Sequence, residues 1–443
     1  MGRRLSVVLA LVALAAASTA TAASARVDAD PLAPQEYWLA KIGADQVTPP
    51  GPGIPLAIVD SGTDPTHPEF ANRPDTTFLD TQTTVGREEY HGTFVASVAA
   101  APDNGTGLDG VYPQAALQIF DASPDANGIS TSDTIAGILA VAQHCPAVIN
   151  LSFGSTDQDP NLLNAIATAQ HNGCLVVAAT GNNGQQGSPP TFPAGWPHVL
   201  GVGATDDQDV VTPFSTIGPL VDLVAPGLGI VGAVPSWRSQ TGYVVGNGTS
   251  YSAPLVSAAA AWVWTVRPAL TATQLSQVLR SSARDIGPPG FDTTSGWGVV
   301  NIPAALTAPV PPNDPDEPNE DVAEVRPGAL TPTGQPALTT AAKPSIRIAA
   351  SLEMNDDPRD LYRIWVPAHR VVRVHVSSSG TAAARIWGPQ TRSTSEGLAA
   401  RRRDLRGPKM SGGKKGSAAY VEVLMTGLSQ RSRYVLSVTA ARR

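Results

Sequence analysis

Three residues stand where a hydrolytic reaction could be run. Asp60 closes an apolar run in Ile58-Val59-Asp60-Ser61-Gly62, His91 opens a helical pattern in His91-Gly92-Thr93, and Ser250 opens another in Gly248-Thr249-Ser250-Tyr251. A serine hydroxyl is a weak nucleophile at neutral pH. It needs an imidazole to take its proton, and the imidazole needs a carboxylate to fix its tautomer. Singly the segments say little, since an Asp after a strand is often a turn former and a His at a helix start is often a surface residue. Their conjunction says more: the order Asp, His, Ser, with gaps of 31 and 159 residues, is one of three chain orders in which such a triad recurs. The chemistry is then acyl transfer, with Ser250 as nucleophile, His91 as general base and Asp60 as the orienting carboxylate. A fourth residue supports it. Asn182, in Thr180-Gly181-Asn182-Asn183-Gly184, follows an apolar run, and its amide, with the Ser250 N–H, could donate to a tetrahedral oxyanion. The plainer alternative is a turn asparagine.

Positioning these residues requires a scaffold. Between about residues 36 and 308, apolar runs at 56–59, 117–120, 148–151, 175–179 and 199–202 alternate with helical patterns at 91–101, 131–143, 161–171, 250–266 and 273–283. Strands that are apolar throughout and separated by helices predict a doubly wound, mostly parallel α/β sheet with helices on both faces. Ligands in such sheets bind beyond the carboxyl ends of the strands, where Asp60 and Asn182 fall. From residue 309 to 335 the texture turns to Pro, Asp, Glu and Asn, as in Asp314-Pro315-Asp316-Glu317-Pro318-Asn319, which reads as a linker. Beyond it, alternating β-branched runs at 345–349, 361–366, 371–376, 420–425 and 434–438 predict a small all-β sandwich over 336–443.

The 443 residues are 42% hydrophobic and 15% charged, enough apolar material for a large core. Residues 1–310 carry a net charge of -14 and residues 311–443 one of +7. The basic excess gathers in 401–415, among glycines and without aromatic residues to stack on bases. It reads as a solvated loop attracted to anionic cell surfaces rather than as a nucleic-acid site. The chain begins with Arg3-Arg4, an apolar stretch to Ala17 and small residues to Ala25, the pattern of an export signal over 1–25 that is too short to span a bilayer. A secreted, extracellular monomer is expected. In an oxidising compartment Cys145 and Cys174, each just ahead of an apolar run, would form a disulfide; two buried free thiols are the alternative.

The segments around Asp60, His91 and Ser250, with Ile149-Asn150-Leu151-Ser152-Phe153-Gly154 and Ala178-Ala179-Thr180-Gly181-Asn182, closely resemble the blocks of the subtilisin-like serine proteases, in order and at family spacing over about residues 36–308. The resemblance implies an endopeptidase that holds substrate as an extended strand. Ser152, Phe153 and Gly154 would line one side, Asn127 and Gly128 the other, with Ala179 and Gly181 walling the primary pocket. Thr191 matches a position near the pocket floor. With no acidic residue there, an apolar or neutral side chain is the expected preference. The family needs no cofactor for chemistry but often holds calcium on the loop after the histidine helix. Asp103-Asn104-Gly105-Thr106-Gly107 matches that loop and Glu69 a carboxylate ligand, so Glu69 and Asn104 are candidate calcium ligands, against the alternative of a plain turn. His67 reads as a turn residue, with no second His or Cys at zinc-ligand spacing.

The chain departs from the family at Ser97 and Ser257, where glycine is usual, and at Tyr251, where methionine is common. About ten residues separate the expected export signal from the start of the resemblance near residue 36, fewer than the prodomain typical of secreted relatives would need. The tail resembles the bacterial pre-peptidase C-terminal domain through Asp316-Glu317-Pro318-Asn319 and Asp360-Leu361-Tyr362. Two rival functions are a non-catalytic binding protein on the same architecture and an acyl hydrolase of other substrates, which turnover of protein and ester substrates would separate.

Overall fold

The computed structural model describes residues 30–81, 89–124, 128–313, 317–320, 322–329, 334–353, 357–379, 382–394, 408–426 and 431–442. The expected export signal, Asn127 and residues 401–407 of the basic segment lie outside them.

Seven strands, β1 (Leu56–Asp60), β2 (Thr76–Phe78), β3 (Leu117–Asp121), β4 (Val148–Leu151), β5 (Leu175–Ala179), β6 (Val199–Thr205) and β7 (Leu223–Pro226), form one sheet in the order β2-β3-β1-β4-β5-β6-β7. Every pairing in it is parallel. β1, β4, β5 and β6 are buried at every residue, which is why their sequences are unbroken apolar runs rather than alternations. The strand order reverses direction between β1 and β4, so the crevice of this sheet opens beyond their carboxyl ends.

Helices α1 (Tyr37–Ile42), α2 (His91–Ala100), α3 (Thr131–Val141), α4 (Pro160–His171), α5 (Thr249–Val266), α6 (Ala272–Ser281) and α7 (Ile302–Thr307) cover the sheet. α5 carries no charged side chain and is buried almost throughout, packed against β4, β5, β6 and β7. α2 is buried from Gly92 onward and lies against α5, β1 and β8 (Ile230–Ala233), the first strand of a hairpin completed by β9 (Tyr243–Gly246). Four helices have side-chain N-caps: Ser130 for α3, Asp159 for α4, Thr271 in a capping box with Gln274 for α6, and Asn301 for α7. α2 and α5, preceded by Tyr90 and Gly248, have none. The helices that begin at His91 and Thr249 thus leave first-turn amides for other partners.

Cys145 and Cys174 are joined, with Cα atoms 5.1 Å apart, just below the amino ends of β4 and β5. The bridge closes a loop of 29 residues across α4.

The tail contains β10 (Ile346–Glu353), β11 (Arg359–Val366), β12 (Arg370–Ser378), β13 (Ala382–Trp387), β14 (Lys409–Ser411), β15 (Ser417–Met425) and β16 (Arg431–Arg442). They form two antiparallel sheets, β10-β16-β12-β14 and β11-β15-β13. Leu352, Tyr362, Val374, Val421 and Leu436 bring both inner faces into one core. The acidic stretch before it is partly folded: helix α8 (Val322–Val325) packs its two valines with Leu361, Trp387 and Tyr420, and Leu361 N donates to Asn319. The tail rests on α6 beside the parallel sheet, where Arg280 pairs with Asp222 at 3.1 Å and Glu353 at 3.0 Å, and Gln277 donates to Ser351. Among the described residues no helix is long and apolar enough to cross a membrane.

Candidate active site

β1 delivers Asp60 to the carboxyl edge of the sheet, fully buried. Its Oδ1 accepts from the Ser61 amide at 2.7 Å and from His91 Nδ1 at 2.8 Å. The second contact places a proton on Nδ1 and leaves Nε2 as the basic nitrogen. Burial pulls the His91 imidazole down, but the charge and hydrogen bond of Asp60 outweigh it, and the pKa stands above its ordinary value of 6.5. The close approach of α2 to the loop after β1 demands a glycine next to His91, because a Cβ on Gly92 would meet Gly62 O at 2.1 Å. Tyr251 stacks on Phe94 with centroids 4.0 Å apart and lies 5.8 Å from the His91 ring, backing the imidazole from α5.

Ser250 sits in the first turn of α5. The Thr249 amide on one side donates to Asn182 Oδ1 at 2.9 Å, and the Tyr251 amide on the other donates to Gly248 O at 3.1 Å. Thr249 Oγ1 also lies 3.1 Å from Asn182 Oδ1 and accepts from Gly181 N at 3.1 Å. Two donors on the amide oxygen settle which way Asn182 is turned, so Nδ2 is the free end. Gly248 leaves a hollow there: the point its missing Cβ would fill is 3.1 Å from Ser250 Oγ, 3.3 Å from Asn182 Nδ2 and 3.7 Å from Ser250 N. The Ser250 hydroxyl and two N–H donors surround a single space of atomic size. Pro254, with no amide hydrogen, cannot return the usual bond to the Ser250 carbonyl.

β4 and β5 bring the pocket segments together. Ser155 and Phe192 exchange two backbone hydrogen bonds, of 2.9 and 2.7 Å. A Cβ on Gly154 would lie 3.2 Å from Phe192 O, 3.6 Å from Thr191 Cβ and 3.7 Å from Ala179 O, and one on Gly181 would lie 3.0 Å from Thr191 Cγ2. Gly154, Ala179, Gly181 and Thr191 therefore lie against one another, and none of them carries a charge. Thr191 is held by a bond from its hydroxyl to Thr180 O. Asn150, fully buried in β4, ties the two halves together, accepting from Ser257 at 2.9 Å and donating to Ser152 at 2.8 Å. Ser257 thus has a partner that the usual glycine would lack. Ser97 likewise donates to Phe94 O and accepts from Ala233 N. Gly128 has open space where a side chain would be.

Glu69 is fully buried beside the loop 103–109. Its Oε1 accepts from Leu108 N at 3.0 Å and Tyr243 OH at 2.8 Å, its Oε2 has no donor, and burial pushes its carboxyl up to about 7. Asp30, Asp103 and Asp109 place carboxylate oxygens within 4.8 Å of one another in the same region. This all-oxygen set, with an unmet buried oxygen, fits a hard cation such as calcium. Asn104 meets it through its backbone amide, 3.5 Å from Asp30 Oδ2. Sequence reading missed Asp30 and Asp109, which stand in turn-rich stretches where acids look like ordinary solvated residues. His67 Nε2 donates to Gly242 O at 3.0 Å and Nδ1 accepts from the Glu69 amide, and burial holds its pKa below the usual value.

On a doubly wound sheet, this set of groups is the equipment of a serine-type endopeptidase. The subtilase family (peptidase S8) matches residues 51–298, more than half of the chain, and the chain belongs to that family. It is 32% identical over 274 residues to subtilisin DY of Bacillus licheniformis, covering 61% of this chain and 97% of that protein. Subtilisin Savinase of Lederbergia lenta is 32% identical over 255 residues, 58% of this chain and 91% of that one. The minor extracellular protease Epr of Bacillus subtilis is 31% identical over 257 residues, 58% of this chain but 39% of its own length. Among solved structures, the psychrophilic subtilisin-like protease Apa1 from the Antarctic Pseudoalteromonas sp. AS-11 shares the fold at a TM-score of 0.53 and 19% identity, over 61% of this chain and 96% of that one. The S41 psychrophilic protease does so at 0.52 and 24%, over 60% and 97%.

Proposed function

We propose that the chain is an exported endopeptidase in which Ser250 Oγ attacks the scissile carbonyl while His91 Nε2 takes its proton. Asp60 fixes the tautomer and stabilises the imidazolium. Negative charge then develops on the carbonyl oxygen in the hollow beside Gly248, where Asn182 Nδ2 and the Ser250 amide donate to it. Collapse expels the amine, protonated by His91, and leaves an acyl-enzyme. A water, deprotonated by the same imidazole, releases the second product. The observation that carries this reading is the convergence of the Ser250 hydroxyl, the Asn182 amide and the Ser250 N–H on one space.

Substrate would lie extended between Ser152-Phe153-Gly154 and the stretch of Asn127 and Gly128. Its primary side chain would lie against Gly154, Ala179, Gly181 and Thr191, whose lack of charge supports apolar or neutral residues there. Residues 1–25 would be removed on export, 26–308 form the peptidase domain, 309–335 connect it, and 336–443 form a pre-peptidase C-terminal-like sandwich. Calcium, if bound by Glu69 and the loop 103–109 with Asp30 and Asp109, would supply structural cross-linking and no chemistry. The basic segment 401–415 would meet anionic cell-surface polymer, and the protein would act as a monomer.

The test is hydrolysis of a peptide library by mature protein and by Ser250→Ala. Cleavage after apolar or neutral residues, lost in the variant, supports the reading. Equal cleavage by both proteins, or none by folded wild type, refutes it.

A further inference from the structure

The turn of the β8–β9 hairpin, residues 234–242, carries side chains to the edge of the site that the reaction proposed above leaves unused. Trp237 stands 41% exposed there. Its ring meets Tyr90 edge-on, with centroids 6.4 Å apart and planes at 70°. Arg238 lays its guanidinium over the same tyrosine, Cζ lying 5.0 Å from the ring centroid. Tyr90 is the residue immediately before His91. Two aromatic rings and a cation therefore hold one another beside the imidazole, where an exposed tryptophan contributes nothing to the core.

The hairpin is pressed against the site from behind. A Cβ on Gly246 would meet the Tyr251 ring at 2.5 Å, so the glycine makes room for the residue that follows Ser250. Burial, with the charges of Tyr90 and Asp60, pushes the Tyr251 hydroxyl up to about 12, and Arg238 pulls it the other way, so the field of the guanidinium reaches the catalytic centre. Among the described residues no carboxylate pairs with Arg238. The acid nearest in sequence, Glu89, faces other groups: burial raises its pKa, and the charges acting on it are those of Asp60, His91 and Asp121, the two aspartates at the ends of β1 and β3.

In the reading proposed above, the acyl half of the substrate lies along Ser152-Phe153-Gly154 and Gly128, past the ends of β4 and β3. The hairpin packs instead on α2 and reaches Ser250 through Gly246-Asn247-Gly248. Its face of the crevice is left to the half that departs as amine. We propose that Trp237, Tyr90 and Arg238 form a leaving-side subsite that selects substrates with an aspartate or glutamate at the second or third residue after the scissile bond. The inference rests on the endopeptidase reading. Extended backbone advances about 3.3 Å per residue, so a side chain two or three residues beyond Ser250 reaches the rim that the rings provide. There a carboxylate meets a guanidinium already held in place over Tyr90, which loses little freedom on pairing. Residues 1–310 carry a net charge of -14, so the domain as a whole repels an acidic peptide and Arg238 decides where its carboxylate can settle.

The test follows deacylation. Protein is acylated with a blocked peptide ester, and short peptide amides compete with water for the acyl-enzyme. The amine nitrogen attacks the acyl carbon, the C–N bond forms as the C–Oγ bond to Ser250 breaks, and the amine proton returns through His91 to Oγ. The peptides differ only in Asp, Asn or Lys at their second or third residue, so the ratio of amide to acid product reads the leaving side alone. Wild type is expected to favour Asp over Asn by about three- to fivefold, as an exposed ion pair allows. The preference should fade as salt rises from about 0.02 to about 0.5 M. Arg238→Glu should reverse the order in favour of Lys, and Trp237→Ala should weaken it, outcomes that a merely structural hairpin would not produce. Equal partition of the three peptides in wild type, or an Asp preference that survives Arg238→Glu, would overturn this inference alone. No turnover of the ester by folded wild type would refute the endopeptidase reading and this inference with it.

Discussion

Thr249 holds Asn182 by its amide oxygen: the backbone N–H at 2.9 Å and the hydroxyl at 3.1 Å both meet Oδ1. The residue before Ser250 thus turns the asparagine so that Nδ2 faces the hollow beside Gly248. Asn182→Ala is expected to lower kcat by about 10²–10³ with KM nearly unchanged, as loss of a donor used only in the transition state requires. Thr249→Val, which keeps one of the two bonds, should lower kcat by about five- to tenfold, in line with a single hydrogen bond. Steady-state kinetics on one peptide checks both, and a rise in KM without a fall in kcat would contradict the assignment.

Asp60 raises the His91 pKa, so the neutral imidazole that accepts a proton exists only above a pH higher than 6.5. The acid limb of kcat/KM should therefore lie above that value, with activity lost as pH falls through it. Asp60→Asn should move the limb downward and cut kcat by about 10⁴, because the imidazole loses both the charge and the tautomer control. A pH profile in which the limb stays put in the variant would separate it from His91.

The Cys145–Cys174 bridge spans 29 residues at the amino ends of β4 and β5, away from the crevice. On the chain-entropy model its loss costs about 3–4 kcal/mol. The double Cys→Ala variant should unfold at a markedly lower temperature while keeping wild-type kcat well below that temperature.

Chelation should lower the unfolding temperature if calcium occupies the Glu69 loop, since a ligand at a hundredfold excess over Kd adds about 2.7 kcal/mol. Glu69→Gln should abolish the calcium-specific part of that shift. An equal response to chelator in Glu69→Gln would place the cation elsewhere.

What the sequence made legible follows from burial. β1, β4 and β5 are buried on both faces and so appear as unbroken apolar runs, with Asp60 and Asn182 marking their carboxyl ends. β2, whose residues are half-buried or exposed, carries no such mark in Thr76-Thr77-Phe78. The hairpin of β8 and β9 is hidden by glycines that let Phe94 and Tyr251 pack against it. In the tail, β13 and the short β14 were missed, the first because Ala382-Ala383-Ala384 has no β-branched residue and the second because it spans three residues. The acidic stretch read as linker because Glu317 and Glu320 look solvated by type; only the fold reveals that His198, more than a hundred residues earlier, lies against them. The orientation of Asn182 was likewise beyond sequence, since it depends on where α5 places Thr249.

The central claim is that Ser250 is a nucleophile activated by His91, and covalent labelling tests it most directly. Mature protein treated with a fluorophosphonate and mapped by mass spectrometry should carry one adduct, on Ser250, formed slowly or not at all in His91→Ala. An unlabelled Ser250 in folded protein, or labelling at an unchanged rate without His91, would contradict the account.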